Sequence, residues 1–121
     1  MRDRIAGFEF AERDGGVVVA SVEGEIDSSN AAELRLALSE RLPSTSSSLV
    51  LDLSDVTYLD SSGIHLLFDL GRRLAARRQQ MRLVVPEQAP MRRVLELCAV
   101  DSVAPMDETL DLSLSSLGAG D

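Results

Sequence analysis

The chain has 121 residues, of which 45% are hydrophobic and 26% charged, and its formal net charge at neutral pH is −8. This length predicts a single domain over residues 1–121, and the negative charge argues against direct nucleic-acid binding. No apolar run approaches the roughly 20 residues of a membrane span, and the N-terminus lacks the apolar core of a signal peptide. We therefore expect no membrane insertion and a cytoplasmic location.

The first elements expected are a hairpin and a helix. Two apolar stretches, 8–10 and 17–22, flank Asp14-Gly15-Gly16, which is typical of a tight turn, so the first two strands are predicted to be antiparallel. Capping side chains at 27–30 precede a predicted helix, and Glu33, three residues after Asn30, would complete a capping box. The apolar residues of this helix share one face: Ala31, Leu34, Leu38 and Leu42.

Residues 49–63 are the most informative stretch. The apolar run 49–53 predicts a buried strand, then a short polar turn, and the spacing of later apolar residues predicts a helix over 62–80. The sequence Asp60-Ser61-Ser62-Gly63 would open that helix, where unpaired backbone N–H groups and the helix dipole favour an anion. Either a serine, Ser61 or Ser62, simply caps the helix, or one of the two carries a phosphate.

The remaining elements continue the alternation of strands and helices. Residues 81–85 predict a strand, 100–105 a last short strand and 109–117 a helix. Pro90 suits the first turn of another helix with four residues facing inward: Met91, Val94, Leu95 and Cys98. The single cysteine is therefore expected to be a small buried hydrophobe. The whole pattern predicts an α/β fold with a small mixed sheet, covered by about four helices.

All twelve basic residues are arginine, and seven of them lie between residues 72 and 93 with Glu87 as the only acid. One interpretation of this arginine-rich stretch is a solvated helix face whose charges complement the helix dipole. The other is a docking surface for an acidic partner. The sequence alone leaves both open.

Known catalytic patterns do not fit the chain. A P-loop and a receiver domain each need a lysine, and the chain has none. The only histidine, His65, lies four residues after Ser61, but the glycine-flanked serine of a nucleophile elbow is absent. One histidine without a cysteine pair is also a poor metal site. We therefore expect no enzyme activity, no metal and no cofactor, and interpret His65 as a surface or partner contact.

Two motifs together resemble the STAS family (sulphate transporter and anti-sigma factor antagonist), above all its small bacterial members, the anti-sigma factor antagonists. They are Val22-Glu-Gly-Glu-Ile-Asp27 and Asp52-Leu-Ser-Asp-Val-Thr-Tyr-Leu-Asp-Ser-Ser-Gly-Ile64. The resemblance covers about residues 8–112, which would form the domain core between short flexible termini. It implies the same architecture, with a phosphorylatable serine at one exposed end.

The resemblance also implies a function, partner switching. The unphosphorylated protein would bind an anti-sigma factor that is also a serine kinase, and so free a sigma factor. Phosphorylation of Ser61, the first serine after the aspartate, would dissociate the complex, and a phosphoserine phosphatase would reset it. The partner-binding residues expected are Asp27, Asp60, Ser61, Ser62, Gly63 and His65, with Gly63 allowing close approach of helix and partner. His65 is expected from its place on the helix, because it departs from the small residues common just after the family signature. The alternative is a STAS scaffold or regulatory module of a signalling complex or of a lipid or anion transporter.

Overall fold

One five-stranded mixed sheet organises residues 7–118, the part of the chain that the computed structural model describes. The strands are β1 (Gly7–Arg13), β2 (Val17–Ile26), β3 (Ser48–Leu59), β4 (Gln80–Val84) and β5 (Met106–Asp107), and the helices are α1 (Ala31–Arg41), α2 (Ser61–Ala76), α3 (Arg92–Leu97) and α4 (Leu110–Ser116). Strand order follows chain order, with β1 antiparallel to β2 and the later pairs parallel. The predicted fold class and hairpin are confirmed. Of the flexible termini predicted on either side of residues 8–112, residues 1–6 and 119–121 lie outside the described residues, whereas Gly7 belongs to β1 and residues 113–116 belong to α4.

Helices cover both faces of the sheet. This explains why three consecutive valines of β2, residues 17–19, are all buried. Side chains of a strand point alternately to opposite faces, so a run of buried valines needs cover on both sides. Val18 packs in the larger core with α1, α2 and α3, whereas Val17 and Val19 pack with Leu114 of α4. The three helices on the first face bury the larger part of the apolar surface.

The polar turn predicted after residue 53 is wrong, because β3 continues to Leu59. The sequence did not indicate this extension of β3 because four of its residues are exposed and polar or aromatic: Ser54, Asp55, Thr57 and Tyr58. Val56 and Leu59 are buried, and parallel pairing with β2 runs on to Ile26 opposite Leu59, across two register shifts. Consequently β2 and β3 end side by side, at Asp27 and Asp60.

Helix α2 ends at Ala76 rather than at the predicted residue 80. Arg78 has a positive φ of 62°, and the Gln79 N–H donates to the Leu74 carbonyl oxygen at 2.8 Å. The Gln79 side chain then donates to the Ser46 carbonyl oxygen at 2.9 Å, so residues 77–79 form the turn into β4. The predicted helix was too long at its C-terminal end because residues 77–80 contain no Gly or Pro to mark the turn.

The C-terminal third differs from the prediction in two places. Residues 100–102 form a 3-10 turn rather than a strand, and the last strand is β5 instead. In α3 and the residues on either side of it, Met91 and Leu95 are buried as expected, but Val94 and Cys98 are exposed, so the predicted burial of these two residues is wrong. A helix of six residues on the surface presents only one narrow face to the core. The helix predicted over 109–117 is confirmed as α4.

Candidate docking site at the start of helix α2

The residue that caps α2 is Asp60, not one of the two serines that follow it. Its carboxylate accepts hydrogen bonds from the N–H groups of Ser62 at 2.8 Å and Gly63 at 3.3 Å. These are two of the backbone donors that every helix start leaves without an intrahelical partner. Neither Ser61 nor Ser62 is the cap, so the capping interpretation is wrong for both.

Ser61 is the first residue of α2 and is exposed. Among residues 7–118, no hydrogen bond occupies its hydroxyl group. Ser62 is half-buried and lines a groove between α1 and α2, and His65 is exposed one turn further along the helix. Of the two hydroxyls, that of Ser61 is therefore the more accessible from solvent.

Gly63 is buried where α2 passes closest to the ends of β2 and β3. A Cβ atom at this position would lie 2.6 Å from the Leu59 Cγ atom and 3.2 Å from the Ile26 Cγ2 atom. Real Cβ atoms do not approach other carbons that closely, so only glycine lets the helix pack here. This gives Gly63 a role inside the domain, and its contact with a partner stays a prediction.

Asp27 is the first residue of the turn that connects β2 to α1. Its carboxylate accepts from the Ser29 hydroxyl at 2.5 Å and from the Ser29 N–H at 2.9 Å. The hydroxyl hydrogen bond first, and the backbone one second, hold the pKa of Asp27 below its usual 3.8, since both stabilise the charged form. Asp27 is therefore ionised at neutral pH.

The capping box predicted for α1 is wrong. Asn30 precedes the helix, but its side chain bonds backwards: the amide oxygen accepts from the Asp27 N–H at 3.0 Å, and the amide nitrogen donates to the Glu25 carbonyl oxygen at 2.8 Å. The Asp27 carbonyl oxygen accepts from the N–H groups of Asn30 and Ala31 instead. Asn30 thus fixes the loop that holds Asp27 at the end of β2.

The carboxylates of Asp27 and Asp60 and the exposed Ser61 hydroxyl lie where the inner strands β2 and β3 end. Ile26 and Leu59 are register partners in parallel strands, and the Asp60 N–H donates to the Ile26 carbonyl oxygen at 3.2 Å. The carboxyl ends of parallel strands therefore present Asp27 and Asp60 together. We call the five residues Asp27, Asp60, Ser61, Ser62 and His65 the strand-end surface.

The strand-end surface combines an exposed, unoccupied serine hydroxyl with two carboxylates and a histidine. Asp60 and His65 belong to the same helix start as Ser61, and an anion there benefits from the helix dipole. Within residues 7–118, no group of three or more His, Cys, Asp or Glu side chains is placed to hold a metal ion. No helix in this part of the chain has the length and apolar character needed to cross a membrane.

Sequence reasoning missed one feature beside this surface. Arg35 of α1 and Arg73 of α2 both approach the Asp69 carboxylate, at 3.4 and 3.1 Å. The spacing of Asp69 and Arg73, four residues apart, could have indicated their pair. Nothing local indicates Arg35, which reaches Asp69 only because α1 packs beside α2.

Comparison with known proteins identifies the family. A family profile described as the STAS domain matches residues 11–113. The anti-sigma-F factor antagonist RsfB of Mycobacterium tuberculosis is 32% identical over 106 residues, which span 87% of this chain and 84% of RsfB. The crystal structure of an anti-sigma factor antagonist from Mycobacterium paratuberculosis superposes with a TM-score of 0.81 at 31% identity, covering 97% of this chain and 96% of that one. Unphosphorylated SpoIIAA, 18% identical, has the same fold, with a TM-score of 0.67 over 95% of this chain and 100% of its own.

The two sequence motifs lie inside the region of similarity. Residues 22–27 and 52–64 both lie within the matched region, and they form the neighbouring ends of β2 and β3 with the start of α2. The resemblance stated from those motifs is confirmed. The chain belongs to the STAS domain family.

Proposed function

We propose that this chain is an anti-sigma factor antagonist that acts by partner switching. In its unphosphorylated form it binds an anti-sigma factor, which is also a serine kinase, and frees a sigma factor in the cytoplasm. The kinase phosphorylates Ser61 and the complex dissociates, and a phosphoserine phosphatase restores the binding form. The chain is a regulatory binding protein rather than an enzyme, and Ser61 is a substrate residue.

The observation that carries this proposal is the free hydroxyl of Ser61 at a helix start that Asp60 caps. A serine that served the fold would have its oxygen engaged with a backbone N–H group. Here the Asp60 carboxylate has taken over that task, and Ser61 is exposed with no hydrogen bond to its hydroxyl within residues 7–118. A kinase can therefore reach the hydroxyl without unfolding the helix.

The electrostatics of the strand-end surface support a switch. A phosphate on Ser61 adds about −1.5 to −2 charges and three acceptor oxygens. It would stand next to Asp60 and near Asp27, which is already ionised, so a partner surface that tolerates the carboxylates meets a much stronger negative field. The helix N-terminus stabilises the added charge by about 0.3–1 kcal/mol, so the domain stays folded while docking weakens.

The relatives support the same assignment. RsfB is an anti-sigma-F factor antagonist, and SpoIIAA has been solved in an unphosphorylated and a phosphorylated form. RsfB is matched over most of both chains, so the comparison concerns the whole domain rather than one motif. The intact Asp60-Ser61-Ser62-Gly63 sequence favours a phosphorylated antagonist over a scaffold module.

The test uses the anti-sigma factor kinases encoded in the source genome, purified and mixed one at a time with this chain and ATP. We expect a single phosphate on Ser61, located by phosphopeptide mass spectrometry, with one kinase of the set. Ser61→Ala should keep binding that kinase but accept no phosphate, and Ser61→Asp should bind more weakly. Ser62→Ala is the matched control, since it removes the neighbouring hydroxyl and should leave phosphorylation intact.

Two results would contradict the proposal. Phosphate found only on Ser62 would move the acceptor to the half-buried serine. Equal binding by the unmodified protein, Ser61→Asp and the phosphorylated protein would remove the switch and favour a scaffold role.

A further inference from the structure

A groove of about 350 Å³ runs between α1 and α2 and opens onto the strand-end surface. Ser62 and His65 belong to both, so the groove is continuous with the proposed docking surface. Its far end is lined by Arg35, Arg72 and Arg73. A partner that contacts Ser61 therefore meets the mouth of this groove.

The groove is positively charged although the chain as a whole carries −8. Asp69 is the only acid among its lining residues, against three arginines. The Nε atoms of Arg35 and Arg73 both approach the same carboxylate oxygen of Asp69, at 3.4 and 3.1 Å. Because each guanidinium has five N–H donors and a carboxylate accepts about four hydrogen bonds, the pair keeps unused donors and a net positive charge.

Arg72 adds a third cation, which is exposed and restrained by one contact. Its guanidinium lies over the Phe68 ring, 5.7 Å from the ring centroid, a cation–π arrangement that restrains the side chain. Two restrained guanidinium groups on α2 and one on α1 thus surround a space large enough for side chains of another protein. Restrained arginines lose less freedom on binding a carboxylate than flexible ones do.

We infer that this groove receives an acidic segment of the anti-sigma factor, one that presents carboxylates to Arg35, Arg72 and Arg73. The inference rests on the proposed function and extends its docking surface. Two patches of opposite sign then meet at Ser62: the carboxylates Asp27 and Asp60 on one side and the arginines on the other. Such a pair of patches admits a partner in one orientation only, because the reversed orientation places like charges together.

The test compares two double variants with the same change in charge. The groove variant is Arg35→Gln with Arg72→Gln. The control is Arg13→Gln with Arg77→Gln. Arg13 pairs with the first residue of β2 and Arg77 lies in the turn before β4, so both lie near the opposite end of the strands from Asp27 and Asp60. Both arginines are exposed, and neither forms a salt bridge within residues 7–118. Both variants lower the net charge by two, so any difference between them reports position rather than total charge.

Binding to the purified anti-sigma factor kinase is measured by calorimetry at two salt concentrations, with melting curves to confirm folding. We expect the groove variant to raise Kd about tenfold and to flatten the salt dependence of Kd, because each lost contact is screened by salt. The control should change Kd less than threefold. Both should melt close to the unaltered protein, since exposed ion pairs contribute little to stability.

Each other outcome has one meaning. Equal weakening by the two variants would overturn the groove, because only total charge would then matter. No weakening by the groove variant, while Ser61→Asp does weaken binding, would overturn the groove and leave the proposed function standing. Failure of the unaltered chain to bind any of the kinases would overturn both.

Discussion

Replacing Gly63 by alanine probes the closest contact between α2 and the strands that carry the strand-end surface. The new Cβ atom would lie 2.6 Å from the Leu59 Cγ atom, which is a branch point near the backbone rather than the mobile end of a side chain. Leu59 is 8% exposed and Ile26 1%, so neither has free space to move into. The helix start must therefore shift away from the sheet, or Leu59 must leave its position.

The expected cost follows from two opposing effects. Overpacking of this kind costs about 1–3 kcal/mol. Alanine offsets roughly 0.5–1 kcal/mol of this loss because it lowers the conformational entropy of the unfolded chain. We expect Gly63→Ala to lose about 1–2 kcal/mol of unfolding free energy, a large fraction of the 5–15 kcal/mol typical of a domain but not enough to unfold it.

Urea denaturation measures this loss, and Gly71→Ala in the same helix is the matched control. A Cβ atom at Gly71 would lie 3.1 Å from the Val103 Cβ atom and 3.3 Å from the Met81 Cε atom, contacts that small movements relieve. The midpoint for Gly63→Ala should therefore fall further than that for Gly71→Ala, with similar m-values. A Gly63→Ala protein as stable as the unaltered one, or more stable than Gly71→Ala, would refute the argument.

Two further substitutions test the cap and a half-buried ion pair. Asp60→Ala should lower the unfolding free energy by about 0.5–2 kcal/mol, because two backbone N–H groups lose their acceptor. Asp60→Asn keeps an acceptor oxygen and should therefore lower the unfolding free energy less. Equal losses for the two variants in urea denaturation would contradict the capping role. At Asp107, burial raises the pKa of the carboxyl, but hydrogen bonds from Arg82 and Ser113 outweigh burial and hold the pKa below 3.8. The stabilisation by ionised Asp107 should therefore be complete above pH 3.8 and be lost as the pH falls through the lower pKa of the folded state. The difference in unfolding free energy between the unaltered protein and Asp107→Asn should shrink over that pH range. A difference that does not depend on pH would contradict this prediction.

The elements that the sequence predicted well are those whose signal is local. The hairpin depends on Asp14, Gly15 and Gly16, and both glycines adopt the positive φ that such a turn requires. Helix α4 depends on Thr109, whose hydroxyl accepts from the Leu112 N–H at 3.2 Å. In both cases a few neighbouring residues suffice to specify the backbone.

The errors arose where distant parts of the chain decide. The second half of β3 looks polar because its exposed side is polar, and only pairing with β2 makes it a strand. Cys98 looked buried because its neighbours are apolar, but α3 is too short to bury more than one face. Arg35 and Asp69 lie 34 positions apart, so their contact follows from helix packing alone.

For the candidate site, the sequence places the residues but does not assign their separate structural roles. The motif located Asp27, Asp60 and Ser61, because both segments follow the ends of strands. Capping preferences could not divide the tasks between Asp60 and the serines, since aspartate and serine cap helices about equally well. Only the hydrogen bonds of Asp60 separate the residue that caps the helix from the serine whose hydroxyl is left unoccupied within residues 7–118.

Because Asp60 alone starts the helix, the side chain at position 61 carries no folding requirement. Cellular quality control recognises proteins that populate unfolded states, and a substitution at position 61 creates none. Under the proposed partner switch, loss of the Ser61 hydroxyl would therefore leave a normal amount of intact protein that phosphorylation can no longer release from the kinase. In the proposed mechanism, a single change at this position would convert a reversible regulator into one that keeps a sigma factor permanently free, and only selection on gene expression, not on protein stability, would remove it.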